Sequence, residues 1–81
     1  MKREEIINNF PEQEFLFVDD MDDAIIGLST KFLVVYSADK CIEILMKDMF
    51  EIEAIEYFEF NIEGAYMGEK TPIYVYDKLF D

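Results

Sequence analysis

The sequence predicts a single α+β domain: a small, mainly antiparallel sheet of three to four strands with a helical pair on one face. Three observations predict it. Two apolar runs, Ala24 to Leu28 and Phe32 to Tyr36, stand at hairpin spacing around Ser29-Thr30-Lys31. A helix-period stripe follows them directly, and a strand-period segment, Ile73-Tyr74-Val75-Tyr76, comes near the end. A chain of 81 residues supports one core and not two, so residues 1–81 form one domain, with 1–11 as an N-terminal helix or arm and 14–77 as the core.

Residues 2–9 read as a short helix carrying Ile6 and Ile7, because Pro11 disfavours helix at Phe10. Glu14-Phe15-Leu16-Phe17-Val18 is a continuous apolar run of the kind that forms a buried strand. Asp19-Asp20-Met21-Asp22-Asp23 ends it, since adjacent aspartates repel and favour turns. Gly27 inside the first hairpin strand marks a bulge or a close backbone approach. Ser37 is suited to an N-cap, with Asp39 in the first turn of a helix over 38–47. Cys41, Ile42, Leu45 and Met46 form its apolar stripe, and Glu43 stands at i,i+4 from Lys47. A second helix is expected from Ile52 to Asn61, because Glu and Ala favour helix over the strand-like alternation at Phe50-Glu51-Ile52. Thr71-Pro72 then forces an extended entry into the last strand.

Composition removes several functions. The net charge is −12 and Arg3 is the only arginine, so the chain lacks the cations that neutralise phosphates. Direct nucleic-acid binding and anionic-membrane binding are therefore not expected. With no histidine, Ser-His and Cys-His nucleophile pairs are impossible, and Cys41 lies on a core stripe where a thiol is inert. The three glycines are scattered and make no phosphate loop. We expect no enzyme, no cofactor and no metal site. No apolar run is long enough to span a bilayer, and Met1-Lys2-Arg3-Glu4-Glu5 is not followed by the apolar region of a signal peptide. A cytoplasmic location is the expectation.

Three groups are candidates for partner binding. The first is Asp19, Asp20, Asp22 and Asp23, which do not follow the alternate spacing of an EF-hand loop and read as a solvated acidic turn before a cation site. The second is Glu53, Glu56, Glu59 and Glu63. On a helix continuing through Glu63 they make an acidic comb with no basic residue at i±3 or i±4, an arrangement that is locally destabilising. A solvated face explains such a stripe. The sharper reading is an imitation of a phosphate backbone, directed at a basic protein surface. The third is aromatic: Tyr57, Phe58, Phe60, Tyr66, Tyr74, Tyr76 and Phe80 exceed what so small a core can bury, and Tyr is enriched at interfaces. If Ile73 and Val75 face the core, Tyr74 and Tyr76 form a contact patch suited to a homodimer.

The stretch from Glu53 through Thr71-Pro72-Ile73, with Asp23-Ala24-Ile25-Ile26-Gly27, Val35-Tyr36-Ser37 and Lys40-Cys41-Ile42-Glu43-Ile44-Leu45, resembles a family of small uncharacterised acidic proteins of tailed bacteriophages and prophages. The likeness covers about residues 15 to 75. It implies a phage accessory protein acting inside the bacterial host, and it carries no site residues. It also suggests that Asn61, Gly64, Gly68 and Thr71-Pro72 build one helix-to-strand connection. Met49-Phe50 departs from the polar helix start that the family implies. The leading expectation is thus a non-enzymatic, protein-binding inhibitor or nucleic-acid mimic. A self-associating module using the tyrosine face is the alternative, and a carboxylate protein for divalent metals is a weaker one.

Overall fold

The computed structural model describes residues 2–78. Phe80, named among the surplus aromatics, lies outside them. Helix α1 spans Arg3–Asn9 and holds its first turn by the Lys2 N–H donating to Glu5 Oε1 at 3.2 Å, with Glu4 and Glu5 favourably placed near the positive helix end. It docks through Ile6, which is fully buried, while Ile7 stays exposed.

Residues 14–18 are the first departure from expectation. They run without regular structure instead of as a strand. Phe15, Phe17 and Val18 still pack on the core, so the apolar run is explained by burial without pairing. The Val18 N–H donates to the Tyr36 hydroxyl at 2.8 Å, a side chain taking the place of a ladder partner. The acidic segment then turns, with Asp20 at φ 64°, and Met21 is driven into the core ahead of a 3₁₀ turn over Asp22–Ala24.

Strands β1 (Ile25–Leu28) and β2 (Val34–Ser37) form the expected hairpin. The register slips by one residue between Ile25 and Gly27, so the bulge falls where Gly27 marked it. Ser29 builds the turn: its hydroxyl accepts from the Leu33 N–H at 3.1 Å and its own N–H donates to the Leu33 carbonyl at 2.9 Å. Ser37 ends β2 and caps helix α2 (Ala38–Leu45), its hydroxyl accepting from the Lys40 N–H at 3.0 Å.

Helix α3 (Glu51–Tyr57) starts close to the expected position, then widens into a π-helix over Phe58–Glu63. Ala54, Phe58 and Ile62 are buried and recur every fourth residue, forming the inner row of this helical segment. Gly64 closes it, because a Cβ there would lie 2.7 Å from the Glu59 carbonyl oxygen. Asn61 sits inside this helix and not in the connection to the next strand. That connection is made by Gly68, at φ 94°, and by Thr71, whose hydroxyl accepts from the Met67 N–H and donates to the Gly68 carbonyl.

Strand β3 (Ile73–Val75) joins β2 in parallel, giving a three-stranded mixed sheet in the order β1-β2-β3 and confirming the α+β class. After it, Asp77 accepts from the Ser37 hydroxyl and the Lys78 N–H donates to Asp39, strapping the exit of β3 to the start of α2. Glu43 pairs with Lys78, and with Lys40 at 4.0 Å, in place of the Lys47 partner expected along the helix.

Candidate functional site

The parallel register sets Tyr74 beside Tyr36, and this decides which face of β3 is inner. The Tyr74 ring stacks on Tyr36 at 5.7 Å and receives Phe58 edge-on at 5.4 Å. Burial pushes its hydroxyl pKa well up. The expected exposed pair of Tyr74 and Tyr76 is therefore not a patch: Tyr74 faces the core, while Tyr76 is exposed. The reason is non-local, since Tyr36 supplies a flat apolar partner that Ile73 and Val75 do not reach.

The acidic turn is organised by one cation. Arg3 on α1 donates to Asp22 Oδ1 at 2.8 Å and lies over the Phe17 ring at 4.6 Å. That hydrogen bond, then the charge of Asp22, holds the guanidinium pKa above its ordinary value. Asp22 is thus charge-paired, and Asp19, Asp20 and Asp23 line the same depression around Arg3. Asp19 and Asp20 are exposed and also border a second depression.

The comb is real in exposure but not in line. Glu53, Glu56, Glu59 and Glu63 all face solvent. The change from α to π geometry divides them. Glu53 and Glu56 border a groove with Met49, Tyr57, Phe60 and Asn61. Glu59 and Glu63 lie on the flank toward Tyr76, whose hydroxyl pKa is raised by burial first and then by those two charges.

Two neighbouring depressions border the separate acidic groups. One, of about 490 Å³, is lined by Asp19, Asp20 and Asp48 together with Leu45, Met67 and Tyr74. Met49, Tyr57 and Asn61 line both it and the groove beside Glu53 and Glu56. Carboxylates from the turn border the first and those from the first half of the comb the second, the two together forming one acidic-rimmed, partly apolar surface. Sequence reasoning missed Asp48, Met49 and Met67 as parts of it. The one signal was Met49-Phe50, hydrophobic at a helix start where polar residues belong; Phe50 is 83% exposed.

Among the described residues, no group of three or more Cys, Asp or Glu side chains is disposed to hold a metal ion. Cys41 is fully buried, and burial pushes its thiol up to about 12. No helix among the described residues is long and apolar enough to cross a membrane. No family model, curated protein or solved structure matches the chain.

Proposed function

We propose that the chain is a non-enzymatic phage accessory protein that captures a basic host protein through its acidic surface, inside the bacterial cytoplasm, as an inhibitor or nucleic-acid mimic. The observation that carries this reading is the adjacency of two depressions: Asp19 and Asp20 border one, Glu53 and Glu56 the other, and Met49, Tyr57 and Asn61 line both. Paired basic residues crossing both would meet carboxylates at each, and the excess of negative charge would speed their approach. Asp22 contributes least, because Arg3 already occupies it. Glu59, Glu63 and Asp23 serve as the longer-range field.

The test is retention of host proteins from bacterial lysate by the tagged chain, against a variant with Asp19, Asp20, Glu53 and Glu56 changed to Lys. A basic protein held by the wild type, weakened by salt and lost by the variant supports the reading. Equal retention by a variant that is still folded sinks it.

Self-association is the second reading. The tyrosine face no longer favours it, but Phe50, Ile52, Phe60 and Tyr66 do, each at least 73% exposed. Sedimentation at high micromolar concentration distinguishes the two, since a monomer under those conditions removes it.

A further inference from the structure

We propose that the two neighbouring depressions between the acidic turn and α3 together seat a basic amphipathic helix carried by the captured protein. This inference rests on the acidic-capture reading above and deepens it by naming the shape of the partner. This surface is not only charged. Met49, Tyr57 and Met67 line the first depression, and Phe60, 78% exposed, lines the second. Methionine side chains are flexible and polarizable, so such a lining adapts to different apolar anchors. A purely electrostatic surface would have no use for them, and apolar residues grouped within one surface and rimmed by charge are the arrangement that suits a docking site.

Three alternative occupants fit less well. Nucleic acid is repelled by the carboxylates on both rims. A second copy would bring its own Asp19, Asp20, Glu53 and Glu56 into the same space, adding two chains of net charge −12 face to face. An extended peptide is best held by a free strand edge, whereas residues of α2, α3, the π-helix and 17–21 provide most of these walls and Tyr74 is the one strand residue among them. A helix with apolar residues at i, i+4 and i+7 and Lys or Arg beside them meets both demands. Its apolar face covers Met49, Tyr57 and Phe60, and its flanking cations reach Asp19, Asp20 and Asp48 at one end and Glu53 and Glu56 at the other.

The protein contains no tryptophan, so a single Trp in a probe peptide reports on the probe alone. Three synthetic peptides of about 18 residues, five helical turns, are sufficient. One places Leu and Trp on one face and Lys on the other. The second has the same composition in scrambled order. The third keeps every Lys and replaces Leu by Ala. We expect the amphipathic peptide to bind at least about tenfold tighter than the scrambled one, with a blue-shifted Trp emission, because buried anchors carry most of an interface's energy. Met49→Ser together with Phe60→Ser should remove about that factor and leave the weak binding of the Lys/Ala peptide unchanged. Both positions are at the surface, and circular dichroism checks that the fold is kept. If amphipathic and scrambled peptides bind equally without a blue shift, the helix proposal is overturned while acidic capture stands. If no basic peptide binds the folded protein, both fall. A dimer that Phe60→Ser dissociates would assign this face to a second copy and overturn the proposal as well.

Discussion

Replacing Gly64 by Ala sets two physical effects against each other. Gly64 has φ −71° and ψ −11°, an ordinary right-handed conformation. Backbone entropy alone therefore predicts that Ala stabilises the protein by about 0.4–1 kcal/mol, through restriction of the unfolded chain. The surroundings predict the opposite. The new Cβ would lie 2.7 Å from the Glu59 carbonyl oxygen and 3.1 Å from that of Phe60. Carbon–oxygen contacts settle at about 3.3 Å or more, so the overlap with Glu59 is about 0.6 Å. Both obstacles are backbone atoms, and they can yield only by opening the π-helix and disturbing Phe58 and Ile62 beneath it. Overpacking of this kind costs about 1–3 kcal/mol. The net expectation is a loss of about 1–2 kcal/mol, a large part of the total for a small domain. In urea, with a slope of about 1 kcal/mol per molar, the midpoint should fall by about 1 M or more. Gly27→Ala is the internal control, because a Cβ there has open space within 4 Å and its midpoint should hold or rise. A Gly64→Ala midpoint at or above that of wild type would refute the close approach of Gly64 to the π-helical backbone.

Two further outcomes are expected. Tyr36→Phe leaves the Val18 N–H without its acceptor and should destabilise by about 1–2 kcal/mol, with faster hydrogen exchange at Val18; unchanged exchange would show that residues 14–18 are held some other way. Stability should also fall as pH rises from about 9 toward 12. The Cys41 thiol has an ordinary value of 9.0 and is pushed up to about 12 when folded, so the unfolded chain releases its proton first and gains relative stability across that window. Below pH 9 the thiol is neutral in both states and contributes no slope. Cys41→Ala should flatten the early part of the decline, leaving the part due to Tyr36 and Tyr74, whose values burial also raises; an unchanged pH profile would contradict the assignment.

The elements that were legible in the sequence are those decided within a few residues. Ser37 caps α2 through Lys40, three positions on, and Gly27 marks a bulge in its own strand. The hairpin follows from Ser29 and the two runs beside it. What was not legible depends on distant partners. The run at 14–18 signals burial, and burial alone does not distinguish a ladder from a segment held by the hydroxyl of Tyr36. Alternation in Ile73-Tyr74-Val75-Tyr76 defines two faces, but the inner one is chosen by Tyr36, far away in the chain. The acidic residues themselves were plain to see. Their grouping around Arg3, beside the two depressions and on a Tyr76 flank was not, because it needs the docking of α1 and the change of pitch after Tyr57.

The mixed sheet also has a temporal side. β2 meets β1 after a turn over residues 29–33 but meets β3 only after residues 38–72. That connection is roughly sevenfold longer, which by loop-closure entropy sets the parallel pairing at a disadvantage of about 1.7 kcal/mol relative to the hairpin. The hairpin can close in microseconds without help, whereas β3 is brought alongside only once α2, α3 and the π-helix have shortened the path between its ends. The Tyr36–Tyr74 stack and the Ser37–Asp77 hydrogen bond should therefore form late and act as a latch. Changes in the hairpin will act mainly on the rate of folding, and changes in β3 mainly on how long the folded protein persists.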